Sequence, residues 1–248
     1  MGLLAALGGG AFVLACLVLG ARLLVLAAKT RELPELCIGA GLFLMGGVGY
    51  PLMMVARFYT GLDDGAREAV AVAHLLCSLT GNIAVCVFNW RVFRPESLVA
   101  KSLTIIVAGS LAGLFLAQGL GPGFLAFAQK SAGAWTHATY LTSFAYAWAG
   151  MESLRYFRMM SKRQLLGLAD PIVTDRFRLW AIGTLAAVVI SAVGIAFRAL
   201  GLDFQGSGFG GITIGTLGLV TAVCFWLAFL PAASYRRRVA AREAPSPA

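Results

Sequence analysis

Residues 3–28 read LLAALGGGAFVLACLVLGARLLVLAA, an apolar run that contains a single charged residue. Such a run exceeds the roughly 20 residues that a helix needs to cross the hydrocarbon core of a bilayer. The polar segment KTRELPE at 29–35 follows, and a second apolar run begins directly after it. This alternation predicts a chain that crosses the membrane several times.

The same pattern continues to the end of the chain. Six further apolar runs lie at 36–58, 69–90, 103–124, 133–154, 179–200 and 211–235. Hydrophobic residues make up 59% of the 248 residues and charged residues 12%, and the connections are too short to bury a core of their own. The sequence predicts an all-α, seven-transmembrane-helix bundle that forms one domain over 1–248, with 236–248 as a short, disordered, basic cytoplasmic tail.

The basic residues favour alternate connections. Sixteen of the twenty Lys and Arg residues share one set of connections and the C-terminal tail: Arg22, Lys29, Arg31, Arg91, Arg94, Lys101, Arg155, Arg158, Lys162, Arg163, Arg176, Arg178, Arg236, Arg237, Arg238 and Arg242. The other four are Arg57, Arg67, Lys130 and Arg198. Because cytoplasmic loops are enriched in Lys and Arg, the N-terminus is predicted outside and the C-terminus inside. We expect a multi-pass protein of a cell membrane, specifically a bacterial inner membrane. Its expected partner is the lipid bilayer, and we expect that it binds no nucleic acid.

Short motifs recur in the same order in the two halves of the chain. Residues 20–24 at the end of the first run correspond to 150–154 in the fifth, and 84–90 in the third run correspond to 222–226 in the seventh. This order predicts a parallel 3+1+3 repeat, in which two three-helix units are joined by the fourth helix. The alternative is a coincidence of residues that are common in membrane helices.

Small residues and prolines indicate how the helices pack and begin. GxxxG motifs at 109–113 and 211–215 predict close contacts between helix backbones. Pro51 predicts a kink in the outer half of the second helix, because proline lacks a backbone donor. Asp170 followed by Pro171 predicts a turn and the start of a helix.

Polar residues within the third and fifth runs form a candidate ligand-binding site. Its six members are His74, Ser78, Asn82, Trp135, His137 and Tyr140. The first three recur in steps of four and therefore share one helix face. The only two histidines are expected about one turn below the outer boundary, at similar depth. The pattern predicts a polar outer cavity that binds a small molecule.

Three interpretations of the histidine pair stay open. The histidines form hydrogen bonds that line a polar cavity, or they bind a ligand, or they hold a metal ion or haem. In the third case the candidate ligands are His74, Cys77 and His137. The cofactor is otherwise unspecified, since the sequence contains neither of the common metal motifs, Glu-x-x-His and His-Glu-x-x-His.

Acidic and nucleophilic residues limit the possible mechanisms. No Asp or Glu lies near the middle of an apolar run, which disfavours proton-driven transport. Glu152 lies near the inner end of the fifth run, where Arg155 or Lys162 is its expected partner. No Gly-x-Ser-x-Gly motif occurs, and we expect that the protein is not an enzyme.

The predicted topology resembles that of opsins, G-protein-coupled receptors and the 3+1+3 sugar facilitators. The seventh run has no Lys, which excludes a retinal Schiff base at the opsin position, and no Pro-Gln pair of the facilitator type occurs. The sequence favours a receptor-like or sensor protein whose basic inner face contacts a cytoplasmic or membrane protein. The alternatives are an uncoupled facilitator for a small solute, and a haem- or metal-binding protein or assembly subunit.

Overall fold

The computed structural model describes residues 3–129, 133–204 and 207–241. Within these ranges the regular elements are helices and no strand occurs, which confirms the all-α prediction. The helices in these ranges are Leu3–Thr30 (α1), Leu33–Phe58 (α2), Asp64–Phe93 (α3), Leu98–Leu120 (α4), Phe124–Ala128 (α5), Ala138–Gln164 (α6), Pro171–Ala199 (α7), Gly208–Phe229 (α8) and Ala233–Ala241 (α9). A 3₁₀ turn over Ala134–His137 leads directly into α6.

Six of the described helices are long and apolar enough to cross a membrane, namely α1 to α4, α7 and α8. The protein is therefore a multi-pass integral membrane protein, as predicted. Helix α6, which contains most of the fifth apolar run, has 27 residues but is too polar to qualify on the same terms. The count of seven crossings thus stays a prediction.

Side-chain caps fix where several helices begin. Asp170 Oδ1 accepts a hydrogen bond from the backbone N–H of Ile172 at 2.7 Å, and Pro171 occupies the first turn of α7. Proline is favoured there because the N–H that it lacks would have no partner within the helix. The predicted helix start is confirmed, and Asp63 and Ser97 cap α3 and α4 in the same way.

Six helices form a ring in the order α1, α2, α3, α6, α7, α8, and α8 closes the ring against α1. Helix α4 packs on the outside of this ring against α3 and the N-terminal part of α6. Its most apolar stretch is 22% buried, the lowest share among the six span-capable helices. The ring therefore encloses the space in which a site between helices can form.

Glycines bring α1 and α8 into backbone contact. A Cβ on Gly8 would lie 2.6 Å from the carbonyl carbon of Gly215, and one on Gly215 would lie 2.7 Å from that of Leu4. The GxxxG motif of α8 therefore packs as predicted. The GxxxG motif of α4 was also predicted to contact another helix backbone, and within the described chain this prediction is wrong. No atom lies within 4 Å of a Cβ placed at Gly109 or Gly113. Both glycines are exposed on the helix outside the ring.

Helix α2 contains a π-helical segment in the region of the predicted kink. The segment covers Gly41–Gly49, and regular α-helix resumes at Tyr50, directly before Pro51. A π-helical turn holds more residues than an α-helical turn, and such segments often occur at functional sites. The irregularity thus lies in the turns that precede the proline, whose missing N–H leaves a carbonyl there without its usual donor.

The C-terminal helix α9 docks against the start of α7. The hydroxyl of Tyr235 donates a hydrogen bond to Asp175, which also pairs with Arg178. Burial, together with this hydrogen bond, raises the pKa of Tyr235 above its ordinary value. The sequence predicted disorder from residue 236, whereas residues 236–241 are helical in the structure; the remainder, 242–248, lies outside the described residues.

Candidate functional site

His74 lies on α3, and its side chain is buried where α3 faces α2. Its Nδ1 lies 2.8 Å from the carbonyl oxygen of Gly49, the last residue of the π-helical segment, and its ring stacks on Phe127 with centroids 5.3 Å apart. Because a carbonyl only accepts, the imidazole N–H is the donor of this bond. His74 therefore supplies the hydrogen bond that holds the irregular part of α2 against α3.

His137 has a different environment, at the exposed end of the 3₁₀ turn before α6. It is exposed and stacks on Tyr140, also exposed, with ring centroids 6.1 Å apart. Trp135, two residues earlier, is buried, and its backbone N–H donates to Gln118 Oε1 at 3.0 Å. Among the contacts of the described residues none joins the two histidines, and their shared pocket remains a prediction.

The other residues of the predicted stripe on α3 bond within their own helix. Asn82 Nδ2 donates to the carbonyl of Ser78 at 2.8 Å, while its buried Oδ1 has no partner in the described chain. Cys77 is half-buried. Within residues 3–129, 133–204 and 207–241 no group of three or more His, Cys, Asp or Glu is placed to hold a metal ion.

A separate site, a cavity of about 220 Å³ that neither histidine lines, lies inside the ring of helices. We call it the outer cavity, because the predicted topology places this end of the bundle outside. It is lined from five helices and the α7–α8 connection by Gly9, Phe12, Tyr50, Tyr146, Ala187, Ile190, Ser191, Phe204, Ile214, Gly218, Thr221 and Phe225. None of these residues is charged. The cavity lies at the end of the bundle where α7 ends and α8 begins.

A much smaller cavity, of about 10 Å³, adjoins the outer cavity, and we call it the waist because aromatic rings surround it. Tyr146 and Phe225 line both the outer cavity and the waist, and Trp180 stacks on Phe225 with centroids 4.8 Å apart. The Phe225 ring rests against the backbone of α7, since a Cβ on Gly183 would lie 2.6 Å from it. Phe88 of α3 also lines the waist, which is thus bounded by aromatic rings from four helices of the bundle.

An inner cavity of about 240 Å³ follows the waist toward the opposite end of the bundle. Trp180 and Phe88 line both spaces, so that the outer cavity, the waist and the inner cavity share residues from one to the next. Arg176, near the start of α7, also lines the inner cavity. Along α7 the lining passes from Ser191 at the outer cavity through Trp180 at the waist to Val173 at the inner cavity. The three spaces therefore follow one another along the ring, and we call this series the axial path.

The axial path offers hydrogen-bonding groups that the described protein does not use. The hydroxyls of Tyr50 and Ser191 face the outer cavity, and no hydrogen bond within the described chain engages either of them. The indole Nε1 of Trp180 is buried and has no partner there. A buried donor without a partner is costly, so a bound molecule with an acceptor would stabilise the waist.

The residues of the axial path were mostly missed by the sequence analysis. Tyr146 belongs to the polar fifth run, but Trp180 and Phe225 are aromatic residues within apolar runs and give no local signal of function. Their proximity follows from the order of the helices in the ring. The signal that points to them is structural, namely the unpaired indole N–H beside a narrow cavity.

No family model, curated protein or solved structure matches the chain. Its class therefore rests on the six apolar helices, which define a multi-pass integral membrane protein. Any narrower function has to be argued from the geometry of the axial path.

Proposed function

We propose that the protein is a seven-helix facilitator that lets a small uncharged solute cross the membrane along the axial path. The observation that supports this proposal most directly is the pair of cavities in series, separated by a waist of aromatic rings. A receptor needs a cavity on one side only, whereas passage needs one on each side. The proposed activity is movement without chemical change, and it includes no enzyme reaction and no cofactor.

The contacts of α6 support a seventh crossing. Near its N-terminal end the carbonyl of Thr136 accepts from Arg198, at the end of α7, at 3.1 Å. Further along the chain, in the middle of α6, Glu152 pairs with Arg94 Nε, just after α3, at 2.7 Å. In the predicted topology α3 and α7 end on opposite sides of the membrane. Helix α6 therefore extends from one side to the other, and the neighbouring helices partly bury Thr142, Ser143 and Tyr146 along its length.

The order of the ring also supports the 3+1+3 repeat. In each unit the first helix packs on the second and the second on the third, and each first helix contacts the last helix of the other unit. Helix α4, the proposed linker, lies outside. The glycines that the repeat aligns have similar roles, because a Cβ on Gly20 would lie 2.7 Å from the backbone nitrogen of Phe43 in α2, and one on Gly150 would lie 2.9 Å from Leu185 in α7.

The lining of the axial path favours an uncharged solute. The outer cavity and waist have no charged residue to replace the hydration of an ion, and desolvating an ion there would be costly. The outer cavity, at about 220 Å³, exceeds the roughly 150 Å³ cavity that binds benzene in a protein core. Two free hydroxyls and one indole N–H then favour a molecule with several hydrogen-bonding groups, such as a polyol or a monosaccharide.

The test is uptake into vesicles that contain the purified protein. Polyols and monosaccharides are the probes, acetate and choline are the charged controls, and osmotic swelling is followed by light scattering. We expect faster entry of at least one uncharged probe than into vesicles without protein. Trp180→Phe, which removes the free N–H, should raise the KM of that probe by about tenfold, the effect of roughly one buried hydrogen bond. The matched change Trp226→Phe, on the exposed side of α8, should leave uptake unchanged.

A second experiment tests the path without knowledge of the solute. Cysteines are introduced at Ala187, which lines the outer cavity, and at Ala228, which lines the inner cavity. A charged thiol reagent should modify the first only from outside and the second only from inside, and Phe225→Ala should make Ala187→Cys reactive from both sides. If Phe225→Ala leaves it reactive from outside alone, while a probe binds without uptake, the protein is a receptor and the proposal is wrong.

A further inference from the structure

A fourth cavity, of about 370 Å³, lies beside the inner cavity at the end of the bundle that carries most of the basic residues. We call it the α1–α2 pocket, since most of its lining comes from these two helices, with Arg176 from α7 and Phe229 from α8. We infer that the α1–α2 pocket binds the headgroup of phosphatidylethanolamine, with the phosphate on two arginines and the ammonium on a carboxylate. This inference does not depend on the proposed transport function.

Two guanidinium groups in the pocket are available for a phosphate. Arg22 and Arg176 both line it, both are exposed, and neither has an ion pair or hydrogen bond within the described chain. Guanidinium groups bind phosphate oxygens through pairs of parallel hydrogen bonds. Basic residues are common at inner membrane boundaries, and two arginines alone would indicate no more than a contact with anionic lipid.

A carboxylate in the same pocket makes the pattern more specific. Glu35 lines the pocket, and its Oε2 is buried without a hydrogen-bond partner in the described residues. It forms no ion pair with either arginine. A buried carboxylate oxygen needs a donor, and an ammonium group supplies three. The pocket thus offers two positive groups and one negative group, which matches a ligand with one phosphate and one primary ammonium.

The apolar side of the pocket fits the chain of a lipid. Three leucines of α1 form this side, and their exposure rises from 0% at Leu19 through 9% at Leu23 to 40% at Leu26. The wall therefore leads from the interior of the bundle to its lipid-facing surface. A soluble phosphorylated amine would leave the exposed part of this wall, at Leu26, without an apolar partner, whereas an acyl chain would cover it.

The test is native mass spectrometry of the full-length protein with lipids of identical acyl chains. The lipids are phosphatidylethanolamine, phosphatidylcholine and phosphatidylglycerol. We expect phosphatidylethanolamine to bind most tightly, because the choline group has no N–H for Glu35 and the glycerol group has no positive charge. Equal binding of the three lipids would overturn the inference.

Variants assign the two halves of the headgroup. Glu35→Gln should weaken phosphatidylethanolamine binding by about tenfold without weakening phosphatidylglycerol, whereas Arg22→Gln and Arg176→Gln should weaken both lipids. Arg158→Gln removes an exposed arginine of the same basic end that does not line the pocket, and it should change neither. If Glu35→Gln behaves like Arg158→Gln, no ammonium site exists.

Soluble glycerophosphoethanolamine identifies the source of the headgroup. We expect it to displace the lipid at least about tenfold less well than phosphatidylethanolamine does, because it lacks the chain that covers the leucine wall. Displacement at equal concentration would show a site for a soluble phosphorylated amine and would overturn the lipid assignment. Circular dichroism of each variant checks that the helical content is unchanged.

Discussion

Replacing Gly8 by alanine should separate α1 from α8 and destabilise the folded bundle. The new Cβ would lie 2.6 Å from the carbonyl carbon of Gly215, whereas non-bonded carbon atoms pack at about 3.5 to 4.0 Å. The carbonyl carbon of Gly215 is part of the backbone of α8, and the new Cβ is bonded directly to the backbone of α1. Neither atom can therefore rotate out of the contact. The two helices would have to move apart by about 1 Å, the difference between these distances.

The size of the effect follows from two opposing contributions. Overpacking at a close contact costs about 1–3 kcal/mol, while alanine is more favourable than glycine within a helix by about 0.5–1 kcal/mol. The difference spans about 0–2.5 kcal/mol, and we expect a net loss of about 1–2 kcal/mol in the free energy of unfolding, because the contact is with backbone that cannot move aside. At about 2–4 °C per kcal/mol for a chain of this size, the Tm should fall by about 2–8 °C.

Gly10→Ala is the matched control on the same helix. No atom lies within 4 Å of a Cβ at Gly10, so this variant changes helix propensity without a clash. Thermal unfolding of both variants in one detergent, followed by circular dichroism, gives the comparison. The reasoning would be refuted by an equal Tm for Gly8→Ala and Gly10→Ala, since α1 and α8 would then not meet at Gly8.

Three further predictions concern topology, His74 and the C-terminal helix. In intact cells a cysteine introduced at Asp63 should react with an impermeant reagent, and one in Ala233–Ala241 should not; labelling of the latter alone would reverse the orientation. His74→Leu should lower the free energy of unfolding by about 1–3 kcal/mol, because it leaves the buried carbonyl of Gly49 without its donor, and an unchanged Tm would contradict this role. Because the pKa of Tyr235 is raised in the folded state, the stability contributed by its hydrogen bond should be complete below about pH 10 and be lost as the pH rises through the raised pKa. The Tm difference between wild type and Tyr235→Phe should therefore shrink from pH 8 to 11, and a constant difference would exclude this titration.

The features that the sequence predicted are those encoded over short stretches of chain. Run length and apolar content identified the span-capable helices, and Asp170 with Pro171 marked the start of α7. Glu152 pairs with Arg155 at 3.6 Å, one of its two expected partners, because residues three apart share a helix face. Its shorter contact, to Arg94, joins α6 to α3 and depends on which helices are neighbours.

The candidate site could not be predicted for the same reason. His74 was recognised as a polar residue that needs a partner, but its partner is a backbone carbonyl of α2, which no side-chain pattern identifies. The waist combines rings from α3, α6, α7 and α8, and Trp180 and Phe225 lie in apolar runs where an aromatic residue gives no signal of function. Hydropathy places helices in the membrane, whereas their order around an axis depends on close contacts such as that of Gly8 with Gly215.

Under the proposed function, the space around the waist determines how it can open. The Phe225 ring is packed against α7 at Gly183 and faces the outer cavity on its other side, so a solute in the outer cavity blocks its outward movement. Trp180 faces the inner cavity of about 240 Å³, which leaves room for its ring to move inward. Of the stacked rings Trp180 and Phe225, the one with room to move while the outer cavity is filled is therefore Trp180, into an empty inner cavity. Because a solute already in the inner cavity would prevent this movement, the path should carry one solute at a time.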